Sequence, residues 1–346
     1  MQPNAPTAPL NIFAALPKVE LHRHLEGSLR LSTMVDIARS HGVTVPASIL
    51  RLSNMVQVQD EEPFTFSNFL EKFKTLRLFY RSPEVIHRIT REAIEDAAQD
   101  NVRYLELRFT PVALSRAERF PLEDVTDWVC ETAQEAAREF DIPVRLIASM
   151  NRHESVALAE QVAWIAAERL DRGIVGLDLA GNEAEFDAAP FAPLFREARQ
   201  AGLRITVHAG EWGGAENVRQ AIELLGAERI GHGVRVMEDP SVVALARERG
   251  TVFEVCVTSN YQSGVVASVA EHPLPRMLQA GLNVTVNTDD PSVSRINLTH
   301  EYRLVCEELG LSLEELEERI LAAARAAFLP QDERRALVEH LRQRML

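Results

Sequence analysis

The amino-acid sequence predicts an α/β fold: a (β/α)8 TIM barrel with extra helices after strand 1 and at the C-terminus. Two observations carry that expectation. Short β-rich runs, eight in all, alternate with helix-patterned segments along the 346 residues, the order that builds a parallel sheet wrapped by helices. Each run is also apolar almost throughout, as strands buried on both faces require, instead of alternating apolar with polar. The length suits a single barrel, and no repeat, low-complexity tract or linker divides the chain. Residues 1–346 therefore read as one barrel domain, with residues 1–16 as a flexible N-terminal leader.

The runs fall in order at 19–25 (VELHRHL), 103–110 (RYLELRFT), 144–150 (VRLIASM), 173–180 (GIVGLDLA), 203–210 (LRITVHAG), 229–234 (RIGHGV), 251–258 (TVFEVCVT) and 283–290 (NVTVNTDD). Amphipathic stretches such as 83–100, 122–140 and 215–227 lie between them and fit crossover helices. The gap between the first and second runs, residues 26 to 102, is much longer than the rest. It contains FTFSNFLEKFKTLRLFY, in which Phe66, Phe69, Leu70 and Phe73 recur at helical spacing. By default such a stripe faces a core. Because it follows strand 1, where active-site loops of a barrel emerge, it also fits a lid over the mouth. From Leu311 a capping box, Ser312 with Glu315, opens two amphipathic helices separated at Pro330.

Composition excludes several classes of function. The net charge of −14 would repel a phosphate backbone or an anionic membrane surface, so a small or neutral ligand fits better than nucleic acid. No stretch approaches the run of about 20 apolar residues that spans a bilayer, and the N-terminal segment lacks the basic and apolar regions of a secretory signal. Cys130, Cys256 and Cys306 are few and widely spaced, with no CxxC pair, which suits neither a disulfide framework nor a thiolate zinc site. The expected location is cytoplasmic.

In a barrel, the C-terminal ends of the strands converge on the active site, so polar residues there are informative. The first run ends in His22 and His24, which as an i, i+2 pair on a strand point to one face. The fifth delivers His208 and Glu211, the sixth His232, and the eighth Asp289 and Asp290. Each feature alone has a plain structural explanation; a double acid before proline, for example, often caps a helix. Their shared placement argues otherwise. Three imidazoles and a carboxylate from runs one, five and eight form a ligand set suited to Zn²⁺. His41, His87, His272, His300 and His340 lie in helical or loop contexts and read as surface or structural residues. Lysine occurs only at 18, 72 and 74. A carboxylated lysine on a middle strand, which bridges two metals in some barrel hydrolases, is therefore excluded, and one metal is expected.

These residues sit in segments that match a known pattern. PKVELHRHLEGS, FLEKF, DLAGNE, TVHAGE, RIGHG, FEVCVTSN, NTDDP and FLPQDE resemble, in order and from about Pro17 to Glu333, the adenosine deaminase family of the amidohydrolase superfamily. The resemblance implies one Zn²⁺ per chain held by His22, His24, His208 and Asp289, with water in the remaining position. Zinc lowers the pKa of its water to about 7, and in the family the resulting hydroxide attacks C6 of a 6-aminopurine, releasing ammonia. Glu211 is the implied acid that protonates N1, and His232 the group that orients the hydroxide and stabilises charge near it. Asp290 is the implied partner of N7, and the backbone at Gly181 the contact to N3. Phe69, Leu70 and Phe73 match the family's apolar cover over the substrate, which favours the lid reading. The combined H-x-E and P-C-x-x-C signature of cytidine-type zinc deaminases is absent, so a free purine or nucleoside is expected rather than a flipped base.

One position departs from the best-known members. They carry Asp where this chain has Glu26, and that Asp meets the ribose 5'-hydroxyl. Glu26 is one methylene longer, so it reaches the hydroxyl of a shifted sugar or fills the space of the ribose. Adenine deaminases of the family also carry Glu here, but typically read DSSE or similar where this chain reads DLAGNE. Deaminases of 5'-modified adenosines, such as aminodeoxyfutalosine, have no free 5'-hydroxyl to meet. The expected reaction is conversion of adenosine or 2'-deoxyadenosine to the inosine product. Adenine or a 5'-modified adenosine stands as the alternative substrate. A catalytically silent nucleoside-binding barrel is a third reading, although such a protein is expected to have lost a ligand or the acid, and none is missing. The sequence leaves the oligomeric state open.

Overall fold

A computed structural model describes residues 12–46 and 48–345 of the chain. Eight strands form one parallel sheet in sequential order: β1 (Lys18–His24), β2 (Val102–Phe109), β3 (Val144–Asn151), β4 (Ile174–Ala180), β5 (Arg204–Ala209), β6 (Arg229–His232), β7 (Val252–Val255) and β8 (Asn283–Val286). Every β-rich run overlaps its strand to within a residue at the start, and helices follow each one, as expected for the barrel. Two strands, β7 and β8, end three and four residues before their runs. After β7 the chain turns into the helix Val257–Gln262, and β8 stops at Val286. The carboxylate of Glu301 explains the first change, because it accepts the N–H groups of Val257 (2.9 Å) and Thr258 (3.3 Å) and so caps a helix start.

The seam between β8 and β1 is closed by a bridge instead of a regular ladder. The N–H of Asp289 donates to the carbonyl of His22 (2.9 Å), and the N–H of His24 donates to the carbonyl of Asp289 (2.8 Å). Below it, the Asn287 side chain substitutes for a strand partner, with Oδ1 accepting the Leu21 N–H at 2.9 Å. The Thr288 N–H donates to Glu20 (2.8 Å). Outside the seam, the helix Leu313–Ala326 packs on both β1 and β8, its first turn secured by the reciprocal Ser312–Glu315 capping box.

Four α-helices fill the long connection from β1 to β2: Leu31–His41, Ile49–Val56, Phe66–Leu76 and Pro83–Gln99. Pro83–Gln99 shows why such a segment is helical. Ser82 accepts the Val85 N–H, proline occupies the first turn, and Ile86, Ile89, Ala93 and Ala97 recur on the buried face. Phe66–Leu76 starts at Thr65, whose hydroxyl accepts the Asn68 N–H.

The barrel interior is charged where many barrels are filled with branched apolar side chains. Arg108 pairs with Glu254 at 2.7 Å and Asp178 at 3.4 Å, while Arg229 pairs with Glu106 and, at 2.6 Å, with Glu254. All five are fully or almost fully buried, and buried charge is tolerated only when paired in this way. The flexible leader expected over residues 1–16 needs correction at its end. Ile12–Ala15 form a short helix against the helix Leu298–Glu307, and Leu16 is buried; residues 1–11 lie outside the described residues. Among the described residues no helix is long and apolar enough to cross a membrane.

Replacing Asn287 by Leu leaves the Leu21 N–H without a partner inside the seam. It should lower unfolding stability by about 1–3 kcal/mol in urea melts, and an unchanged midpoint would show that the side chain does not hold the seam.

Candidate metal and catalytic site

The seam brings four side chains to one point. Ligand-capable atoms of His22, His24, His208 and Asp289 all lie within 4.8 Å of one another. Asp289 Oδ1 is 3.2 Å from His22 Nε2 and 3.3 Å from His24 Nε2, and His24 Nε2 is 3.3 Å from His208 Nε2. Two of the rings are fixed from behind. His22 Nδ1 donates to Glu254 Oε2 at 2.8 Å, and His208 Nδ1 donates to Asp178 Oδ1 at 2.9 Å. Carboxylates can only accept, so these bonds put the protons on Nδ1 and leave the Nε2 lone pairs facing the centre. His22 Nε2 is buried without a hydrogen-bond partner, and a cation at the centre would satisfy it.

Arg108 ties the supports together, because it pairs with both Glu254 and Asp178. Burial opposes the charge on Glu254, but the guanidinium groups of Arg108 and Arg229 overcome it and hold the carboxyl well below its usual range. Asp178 is likewise held down, against its burial, by His208 and Arg108. On the opposite wall, the hydroxyl of Ser259 donates to Asp289 Oδ2 at 2.6 Å. Asp289 and His232 both adopt left-handed backbone, with φ of 66° and 59°. Asp and His tolerate this region better than most residues, and the local strain curls the strand ends so that both side chains enter the mouth.

Glu211 and His232 stand beside the cluster. His232 Nε2 lies 3.7 Å from Glu211 Oε1 and 3.9 Å from Asp289 Oδ2. The turn that carries Glu211 is held by the carboxylate of Glu183, which accepts the N–H groups of Gly210 (2.9 Å), Glu211 and Trp212 (2.7 Å). Burial, followed by the negative charges of Asp289, Glu183 and Asp290, pushes the Glu211 carboxyl well above its usual range. Burial and Asp289 push Asp290 up in the same way. Asp290 packs against Gly27 so closely that a Cβ there would lie 1.8 Å from its Oδ1. Only glycine leaves room for it.

Of the twelve residues singled out from the sequence, eleven line one pocket at the C-terminal mouth, and His22 is completely buried behind it. Phe69, Leu70 and Phe73 reach the pocket from Phe66–Leu76; Phe69 is 4% exposed and Leu70 37%. The stripe thus serves core and pocket together. Phe66 packs against Trp212 with tilted rings, 3.8 Å between centroids and 46° between planes. Gly181 lines the far side with φ of 93°, a conformation that favours glycine. Glu26 is buried; one oxygen accepts the Thr110 N–H and the other has no partner.

Sequence reasoning passed over the supporting residues Asp178, Glu183, Glu254, Arg108 and Ser259, and the pocket residues Arg77, Thr110, Asn151, His153 and Trp212. Three of the supports carried a usable signal: a charged residue inside a run buried on both faces, such as Arg108, Asp178 or Glu254, must find a partner within the barrel. Pocket residues on loops carried none.

A parallel barrel with a histidine–aspartate metal cluster and a buried acid at its C-terminal mouth defines a metal-dependent hydrolase. Comparison with known proteins gives the family. The family model described as adenosine deaminase matches residues 17–344. An adenosine deaminase of Klebsiella pneumoniae is 40% identical over 332 residues, covering 95% of this chain and 99% of the relative. Among solved structures, an adenine deaminase from Arthrobacter aurescens superimposes with a TM-score of 0.87 at 28% identity, covering 95% of this chain and 98% of that one. An amidohydrolase from Burkholderia ambifaria with bound Zn also gives 0.87, at 29% identity, covering 98% and 95%. The chain belongs to the adenosine deaminase family and is a hydrolytic deaminase.

Exchanging Asp178 for Ala removes the acceptor that fixes His208. Metal affinity in chelator competition should fall about 10–100-fold; unaltered affinity would mean that the support does not orient the ligand.

Proposed function

We propose that this enzyme hydrolytically deaminates adenosine or 2'-deoxyadenosine to the inosine product and ammonia, using one zinc ion per chain. The reading rests on Glu211, a carboxyl that burial and its anionic neighbours push well above the usual range, placed beside three imidazoles and a carboxylate whose spacing suits zinc. Ligand atoms 2.0–2.1 Å from a tetrahedral ion are about 3.3 Å apart, and the separations among Asp289 Oδ1, His22 Nε2, His24 Nε2 and His208 Nε2 include 3.2, 3.3 and 3.3 Å. Zinc held by these four residues would lower the pKa of a water to about 7 and so supply hydroxide at neutral pH.

The remaining chemistry belongs to the protein. Glu211 delivers its proton to N1 of the purine, so that negative charge does not accumulate on the ring as oxygen adds at C6. His232 orients the attacking water and stabilises charge near it. Asp290, whose carboxyl is pushed well above the usual range by burial and by Asp289, is suited to donate a hydrogen to N7. The backbone at Gly181 meets N3, and the unpartnered oxygen of Glu26 accepts from a ribose hydroxyl. Phe69, Leu70 and Phe73 exclude water above the ring, which strengthens every polar contact beneath them.

Glu26 also supports a second reading, in which adenine or a 5'-modified adenosine is the substrate and the longer acid occupies or borders the space of a free 5'-hydroxyl. An ultraviolet assay of adenosine, 2'-deoxyadenosine, adenine and 5'-modified adenosines separates the two. Turnover fastest on the two unmodified nucleosides is expected. Turnover of adenine alone, or of 5'-modified adenosines alone, would establish the alternative. Glu211→Gln should keep about one zinc per chain while kcat falls by ~10²–10⁴-fold, and undiminished turnover would remove the acid from the mechanism. Chelation should abolish activity and added zinc should restore it. Chelated protein that stays fully active would contradict the metal.

A further inference from the structure

We infer that Asn260 and His272 are positioning residues that set the tautomer of His232, keeping the single proton of its neutral ring on Nε2, toward the attacking water. The inference rests on the role proposed above for His232. Its geometry begins from a group whose hydrogen-bond direction is fixed. The backbone N–H of Leu274 lies 3.1 Å from His272 Nδ1 and can only donate, so that nitrogen accepts and the proton of His272 resides on Nε2. His272 Nε2 is 3.2 Å from Asn260 Oδ1 and donates to it. The amide orientation follows, because a flipped Asn260 would set its NH2 against an N–H. Asn260 Nδ2 therefore points the other way and donates to His232 Nδ1 at 3.0 Å. With Nδ1 accepting, the remaining proton sits on Nε2, the nitrogen that faces Glu211 and Asp289.

The chain of donors is rigid and dry. Asn260 is 0% exposed, His232 1% and His272 3%. The carbonyl of Asn260 accepts the N–H groups of Val265 (2.9 Å) and Val266 (3.2 Å), and its own N–H donates to Cys256 (2.9 Å), so the residue cannot swing away. Burial pushes the His272 imidazole down to about 3, which keeps the ring neutral and its Nδ1 available to accept. His232 thus presents a hydrogen-bond donor to the nucleophile. It can stabilise negative charge on oxygen, and it has no lone pair there with which to act as the base.

Asn260→Asp tests this closely, since a carboxylate keeps the shape but replaces the donor with an acceptor and so favours a proton on His232 Nδ1. Zinc-loaded enzyme carrying 15N-labelled histidine reports the tautomer in two-bond 1H–15N correlation spectra, with the His232 signals identified by their loss in His232→Gln. The wild type should show a protonated Nε2 and a bare Nδ1. Asn260→Asp should reverse the pattern, lower kcat by ~10²-fold or more, and leave zinc content unchanged with KM within ~3-fold. His272→Gln, whose amide can still donate to Asn260 Oδ1, should stay within ~3-fold of wild-type kcat, whereas His272→Leu should lose ~10-fold. A wild-type His232 protonated on Nδ1 would overturn the inference, as would equal kcat in the two His272 variants. If Asn260→Asp does not fold, the wild-type spectrum and the His272 pair still decide. Wild-type enzyme inactive on every purine would instead overturn the functional reading, because the spectrum reports the tautomer without turnover.

Discussion

The bridge between His22, His24 and Asp289 joins the last strand of the barrel to the first, and the rest of the site depends on it. The same three residues supply main-chain hydrogen bonds to the seam and side chains to the metal cluster. Fold and site are therefore coupled. Closing the barrel brings the ligands together, and a cation between them would in turn draw the two edge strands toward each other. Such coupling is general where metal binding requires a preformed arrangement of ligands.

Behind the seam, the charged interior converts position into chemistry. Arg108 and Arg229 hold Glu254 ionised, and Arg108 with His208 does the same for Asp178; these carboxylates then fix the outer nitrogens of His22 and His208. At the mouth the balance is opposite. Glu211 and Asp290 are buried near negative charge with no cation paired to them, and both carboxyls are pushed well above the usual range. Acids held toward the charged form behind the ligands thus contrast with acids pushed toward the neutral form at the mouth. This contrast allows one pocket to support both metal binding and proton donation.

Much of this was legible in the sequence, for identifiable reasons. Strands buried on both faces left near-continuous apolar runs, and residues such as His22, His208 and Asp289 stood out because they interrupt those runs at the ends. The supports were harder to find. Glu254 and Asp178 sit inside strands, and their importance depends on which residue lies across the barrel, a relation set by register and closure. Strand ends were also misjudged. The segment CVT after β7 suits a strand as well as a helix, and the choice was made by Glu301, more than forty residues away. Residues 12–16 looked like a leader because nothing local reveals the helix they pack against. His272 read as structural, and it is structural in the sense that it positions Asn260.

The proposed function requires one zinc ion at the seam. Anomalous diffraction from crystals of the purified enzyme, recorded above and below the zinc absorption edge, tests it directly. A single strong peak is expected about 2 Å from Nε2 of His22, His24 and His208 and from Asp289 Oδ1. A peak elsewhere in the chain, or a second metal in the same pocket, would contradict it.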